Sequence, residues 1–368
     1  MHILVTADTL GGVWTYTREL VTGLVRSGDR VTLVSFGDIP TAAQIRWMEE
    51  LPNLDYRPTA FKLEWMLDSE ADMVASAQYL QAVIRETNPD LLHFSQFYYG
   101  ELECDVPRVV VAHSDVVSWW MAVHGKNPPE TDWLRWYRKM VARGLSEATM
   151  VVAPSRWMLE QVELYYGRLH STSVIHNGRT PALFNPHMSK EENVVTVGRL
   201  WDGGKNVGLL LRQELPLPVH IVGSDRHPEF EGQALNAEAI ASNVHLEPEQ
   251  DERQIVQTLA RAGIYAATSQ YEPFGLAPVE AALSRCAILA SDIPTFHELW
   301  DGAAVFFRSN DAVSLCHAVE SLQRDPALRR TQGNLAYQHA RQSFSAERMV
   351  AGYRNLYQGL LPARAISA

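Results

Sequence analysis

Cysteine is scarce: Cys104, Cys286 and Cys316 are the only three in 368 residues. An odd count without metal-type spacing excludes a disulfide framework or a zinc site. It reads instead as small buried hydrophobes in a reducing compartment. Basic charge is also in deficit. A net charge of −11 argues against a general nucleic-acid binder, because phosphate contacts need basic surface. No apolar run reaches membrane-spanning length; the candidate at 106–123 is broken by Arg108, His113 and Asp115. The first residues, Met1 to Thr6, run straight into a strand pattern with no signal-peptide features, so the expected location is cytoplasmic. Internal repeats, low-complexity tracts and the G-x-G-x-x-G dinucleotide fingerprint are all missing.

What is present suggests two α/β domains. The length fits two domains on the usual prior, and 46% hydrophobic residues give each half enough core. Strand 2–7, helix 15–26 and strand 30–36 follow one another with short links, which is the βαβ unit of a parallel sheet. Helical stretches are expected at 42–51 and 69–86, and strands at 91–94 and 108–112. A strand at 150–154 should lead into a helix capped by Ser155. The polar stretch 181–192 reads as an interdomain link, and a second alternating series begins at 193. Strands are expected there at 193–197, 219–222, 243–246, 262–267 and 287–291. The segment 132–144 interleaves Trp133, Trp136 and Tyr137 with Arg135, Arg138, Lys139 and Arg143. Such a helix can lie at a membrane surface, but a packed helix with solvated cations takes precedence.

Three strand ends carry candidate chemistry, because ligands of parallel sheets collect at the carboxyl ends of the strands. Gly11-Gly12 follows the first strand and is read equally well as a plain tight turn. His113 follows the strand at 108–112, where its bland reading is a satisfied structural histidine; His93 is similarly placed. The stretch 267–283 is the most informative. Gly275 sits where a strand turns into a helix with Pro278 in its first turn, and unpaired amides at a helix start bind anions. Glu272 and Glu280 bracket that turn. Carboxylates beside an anion site suit neutral hydroxyls, through charge-assisted hydrogen bonds. A phosphate flanked by two such acids describes a nucleotide sugar. The plain alternative is a strand-turn-helix unit with solvated glutamates.

The Glu-Pro-Phe-Gly-Leu sequence, with its second Glu eight positions after the first, resembles the E-x7-E signature of family-4 retaining glycosyltransferases, which have the GT-B fold. The resemblance implies two doubly wound Rossmann-like domains, with parallel sheets facing across a cleft. It places the acceptor-side domain at 1–182 and the nucleotide-sugar domain at 190–346, with the C-terminal helix 347–368 packing back on the first. It implies that Glu272 contacts the donor hexose, that Phe274, Gly275 and Leu276 bind diphosphate and sugar through their backbone, and that Glu280 holds the ribose. Arg199 and Lys205, six positions apart across a Gly-Gly turn, match the family's diphosphate-binding cations. Fixed cations there stabilise the charge that develops on the leaving group. The resemblance further brings Gly11 and Gly12 to the donor phosphates, Gly223 and Ser224 to the base, and His113 to the reaction centre.

The expected reaction is transfer of a hexose from a nucleotide sugar, with UDP-glucose the best guess, to a saccharide or lipid-linked saccharide acceptor. No Asp-x-Asp triplet is present, so no metal and no cofactor beyond the donor substrate are expected. Nucleic acid is not an expected partner; contact with the inner face of a membrane is left open. A GT-B sugar-nucleotide epimerase and a non-catalytic sugar-nucleotide-binding protein are the alternatives. A Rossmann oxidoreductase is disfavoured by the broken glycine fingerprint.

Overall fold

The computed structural model describes residues 1–212, 214–225 and 241–361. The chain divides into two units. The first takes Met1–Ser118, Asn127–Gly178 and the chain from Ala346 on; the second takes Trp119–Lys126 and Arg179–Ser345.

The first unit holds strands β1 (His2–Asp8), β2 (Arg30–Phe36), β3 (Leu54–Pro58), β4 (Leu91–Phe94), β5 (Arg108–Val111), β6 (Met150–Ala153) and β7 (Thr172–Val174). They pair in parallel in the order β3-β2-β1-β4-β5-β6-β7. Chain order reverses between β1 and β4, the switch point at which doubly wound sheets leave a crevice. The helices are α1 (Gly12–Arg26), α2 (Ala42–Ile45), α3 (Glu70–Thr87), α4 (Val116–His124), α5 (Asp132–Glu147) and α6 (Arg156–Tyr166). Of these, α4 starts in this unit and from Trp119 on belongs to the second. The central strands are apolar runs because both faces are covered; Ile3, Leu4 and Val5 are all fully buried.

The second sheet holds β8 (Val194–Val197), β9 (Val219–Val222), β10 (Val244–Glu247), β11 (Ile264–Ala267), β12 (Ala287–Ser291) and β13 (Val305–Phe307). Its order is β10-β9-β8-β11-β12-β13, all parallel, with the switch between β8 and β11. Alternate residues feed separate cores on its two faces. Ile264 and Ala266 join one cluster, Tyr265 and Ala267 the other. Helices α7 (Glu252–Arg261), α8 (Leu276–Leu283), α9 (Pro294–Trp300), α10 (Ala312–Arg324) and α11 (Pro326–Ser343) complete this unit, and α12 (Ala346–Leu360) belongs to the first. Residues 362–368 of the expected terminal helix lie outside the described residues.

Two local differences from the expected pattern have physical causes, and a third segment packs as expected. α1 starts at Gly12 rather than at residue 15, because Gly11 adopts φ 66° and lets the helix begin directly after β1. The helix expected at 42–51 is only four residues long, followed by a 3-10 turn at Arg46–Met48. None of its residues is buried, so no packing extends it beyond the Thr41–Gln44 capping box. The basic aromatic helix is α5, and it packs: Leu134, Tyr137, Met140 and Val141 face inward. The Trp133 indole donates to the Met66 carbonyl at 3.1 Å, and Arg143 pairs with Glu101 at 2.8 Å. Gly144 lies so close to Phe97 and Gly100 that a Cβ would come within 1.8 Å of the Phe97 carbonyl oxygen. Among the described residues no helix is long and apolar enough to cross a membrane.

Candidate functional site

The loops after β8 and β11 meet at the switch point of the second sheet. The backbone amides of Gln270 and Tyr271 donate to the Gly204 carbonyl at 2.8 and 3.2 Å, and Thr268 Oγ1 donates to the Lys205 carbonyl at 2.9 Å. This locks the Arg199–Lys205 loop to the turn that carries Glu272. The result is a direct pair: Lys205 Nζ lies 2.6 Å from Glu272 Oε2, which also accepts from Ser269 Oγ at 3.1 Å. Glu272 is 7% exposed, so its charge is met by partners rather than by water. Both residues line a small pocket together with Gly198, Thr268, Ser269 and Pro278.

Arg199 projects from the same loop but pairs with Asp202, Nη2 to Oδ2 at 2.7 Å, and its guanidinium lies 5.0 Å over the Trp201 ring. Asp202 is held in turn by the Trp119 indole and the Gly204 amide, each at 2.9 Å from Oδ1. Burial alone would raise the Asp202 carboxyl. Arg199, Lys205 and the two hydrogen bonds outweigh it and hold the group below its ordinary range. The Gly203-Gly204 pair has a steric reason: a Cβ at 204 would stand 2.8 Å from the Trp119 indole nitrogen, and one at 203 would stand 3.1 Å from Val123.

The turn into α8 depends on Gly275, which caps the helix at φ 89°. A Cβ there would also press on Glu272 Cγ at 3.1 Å. Phe274 buries its ring edge-on against Phe344, 5.2 Å between centroids, and Leu276 packs on the same core. What these two residues can offer a ligand is therefore their backbone. Glu280 lies on α8 and pairs with Arg179 Nε at 2.8 Å rather than with Arg199 or Lys205. Gly223 and Ser224, at the end of β9, lie against the Arg199 loop: Leu200 N–H donates to the Ser224 carbonyl at 2.9 Å. At Gly223 a Cβ would come within 1.8 Å of the Gly198 carbonyl oxygen, so glycine is required for the approach.

Gly11, Gly12 and His113 belong to the first unit. Gly11 and Gly12 begin α1, one turn before Tyr16, whose ring meets His113 edge-on at 4.5 Å. Burial pushes the His113 imidazole down to about 3, and its Nε2 is buried without a hydrogen-bond partner. It is a neutral imidazole at working pH and has no proton to give as a cation. His93 is a structural histidine: fully buried, with Nε2 3.1 Å from the Tyr16 hydroxyl and Nδ1 2.7 Å from that of Tyr357. Among the described residues no three His, Cys, Asp or Glu side chains are grouped to hold a metal ion.

Four residues of this neighbourhood had no place in the sequence reading: Asp202, Ser269, Arg179 and Trp119. Asp202 carried a signal, since it stands three positions after Arg199. Arg179 and Trp119 reach partners 73 to 101 residues away, which spacing cannot reveal.

Parallel, doubly wound sheets with charged loops at a switch point define an α/β protein of the class that seats its ligands at the carboxyl ends of the strands. Two family models match the chain in succession: Glycosyltransferase Family 4 over residues 10–182 and Glycosyl transferases group 1 over 185–339. The chain belongs to the family-4 glycosyltransferases, and its two sheets are the Rossmann-like halves of the GT-B fold. Sucrose-phosphate synthase from Thermosynechococcus elongatus shares the fold, with a TM-score of 0.80 and 17% identity across 98% of this chain and 99% of that one. Anabaena HepE, solved in complex with UDP-glucose, has a TM-score of 0.73 and 18% identity across 98% and 100%. The lipopolysaccharide core biosynthesis mannosyltransferase LpcC of Rhizobium leguminosarum bv. viciae is 36% identical over 105 residues, 27% of this chain and 29% of the relative. The chain thus spans under a third of the length of the curated relatives it matches.

Proposed function

We propose that this protein is a retaining hexosyltransferase that moves glucose from UDP-glucose to a hydroxyl of a saccharide or lipid-linked saccharide. Such an acceptor would place it in polysaccharide or glycoconjugate synthesis, in the cytoplasm or at the inner face of the membrane. The observation that carries the reading is the Lys205–Glu272 pair, held at the switch point by backbone bonds between its two loops. A diphosphate can take Lys205 and Arg199 as counterions in place of their present carboxylate partners. Glu272, released from Lys205, becomes an acceptor for sugar hydroxyls. Arg199 supplies a planar fork and Lys205 a mobile point charge.

In this scheme the bond between the anomeric carbon and the β-phosphate oxygen breaks as the acceptor oxygen attacks the same face. The departing phosphate takes the acceptor's proton, and the two cations stabilise its growing charge. Backbone amides around Phe274, Gly275 and Leu276 add donors, Glu280 engages the ribose, and Gly223 and Ser224 lie on the base side. The mechanism calls for no metal.

Mannose transfer is the second reading, favoured by the mannosyltransferase names of two relatives, 36% and 32% identical over short stretches. Consumption of UDP-glucose and GDP-mannose, each measured with and without saccharide acceptors, decides between them. Acceptor-dependent release of one nucleoside diphosphate is expected. Turnover that ignores acceptor would point to an epimerase or hydrolase, and no turnover of any nucleotide sugar would leave a binding protein.

A further inference from the structure

Among the described residues, Arg179 is the largest charged side chain buried almost completely, with 1% of its surface exposed. Its backbone N–H donates to the Phe344 carbonyl at 3.0 Å, which fixes the base of the side chain, and its guanidinium lies 5.4 Å over the Phe184 ring. Two acids meet it. Glu252, the first residue of α7, approaches Nη2 at 2.6 Å, and Glu280 of α8 approaches Nε at 2.8 Å. A buried guanidinium without a partner is strongly unfavourable, so one carboxylate is needed for neutrality. A second is more than neutrality requires. Nor does a buried ion pair usually stabilise a fold better than apolar packing would. What the arrangement supplies is orientation. Glu280 is a long side chain with costly rotamer freedom, and a rigid, fully packed cation holds one of its oxygens before any ligand arrives.

We propose that Arg179 is a positioning residue: it sets the Glu280 carboxylate for the ribose hydroxyls of the nucleotide donor, and Glu252 braces it from the other side. The inference rests on the reading of Glu280 as the ribose carboxylate. A carboxylate that serves two neighbouring hydroxyls must be held in one plane, and the ion pair with Arg179, 2.8 Å from Nε, restrains one of its two oxygens.

The test is equilibrium binding of UDP and GDP, each beside its 2′-deoxy and 3′-deoxy forms, to the full chain carrying Arg179→Met, Arg179→Lys or Glu252→Gln. Thermal unfolding of each variant checks its fold. The unaltered protein should prefer the ribonucleotide over at least one deoxy form by about tenfold, the worth of one charge-assisted hydrogen bond. Arg179→Met should collapse that preference to about twofold or less while leaving affinity for the deoxy forms nearly unchanged. Arg179→Lys should restore part of it, and Glu252→Gln should weaken it by a smaller factor. A role confined to folding would instead lower affinity for all forms together. If Arg179→Met does not fold, the lysine and Glu252 variants carry the test alone. Full preference retained in those two folded variants overturns the role of Arg179 and leaves Glu280 in place. No preference in the unaltered protein removes the ribose reading of Glu280, and this proposal with it.

Discussion

At the strand ends of the first sheet, burial pushes His93 and His113 down to about 3 and Glu64 up to about 7. These groups are kept neutral or close to it. His93 is satisfied by two tyrosine hydroxyls, and Glu64 accepts from the Phe97 and Tyr98 amides at 3.0 and 2.9 Å. At the same end of the second sheet, polarity is handled by pairing: Lys205 with Glu272, Arg199 with Asp202, Arg179 with Glu280. Neutral groups whose polar atoms are bonded, as in His93, fix a framework and have little to exchange. An ion pair that lines a pocket, as Lys205–Glu272 does, can trade one partner for a charged ligand without leaving a bare charge behind, whereas the enclosed Arg179–Glu280 pair stays fixed.

The sharpest way to break this contrast is to remove one half of a pair. Lys205→Ala or Glu272→Ala should lower kcat/KM for donor consumption by about 10²–10³-fold, the usual cost of losing one preorganised charge-stabilising group. Steady-state kinetics with near-normal activity in either variant would end the role given to that pair. Next comes acid stability. An imidazole depressed from 6.5 to about 3 binds a proton in the unfolded chain but not in the folded one across that window. The stability it contributes is therefore complete above pH 6.5 and lost as pH falls toward 3, by about 1.4 kcal/mol per pH unit for each histidine. Glu64 works in the opposite sense: its raised carboxyl stabilises below 4.5 and loses that contribution as pH rises through about 7. Urea unfolding between pH 4 and 7 should show His113→Phe shedding one histidine's share of the slope. Tyr357→Phe, which strips His93 Nδ1 of its partner, should cost about 1–3 kcal/mol by the same measurement, with donor kinetics unchanged. Smallest of all, Asp202→Asn should change donor KM only a few-fold, because Asp202 holds Arg199 and does not itself meet the donor in the scheme above.

Much of this was legible beforehand, and the exceptions are instructive. Buried parallel strands such as β1, β11 and β12 are apolar on both faces, so they stand out as runs bounded by turns. The turn at Gly275 was legible because a strand, a glycine and a helix-opening proline lie in one short stretch. β3, β7 and β13 are edge strands of three to five residues with partly exposed faces, too short to show a period. The cations at 199 and 205 could be read from the loop, but not their carboxylate partners, since Glu272 reaches Lys205 only through the crossover that puts β11 beside β8. Arg179 lies just before the stretch 181–192 read as a link, within the span expected for the first domain, and only the folded second unit shows that its side chain is enclosed.

After a first excursion at Trp119–Lys126, the chain enters the second unit again at Arg179 and leaves it at Ser345, and these two residues form a β-bridge side by side. Only afterwards does α12 arrive to finish the first unit, bringing Tyr357 to His93, Arg354 to Asp29 at 3.0 Å and Met349 Sδ to the Gly178 amide at 3.2 Å. During synthesis the order of completion is thus inverted. The half made last on the ribosome can close while the half begun first still has an imidazole nitrogen and a carboxylate waiting for the final fifteen-residue helix.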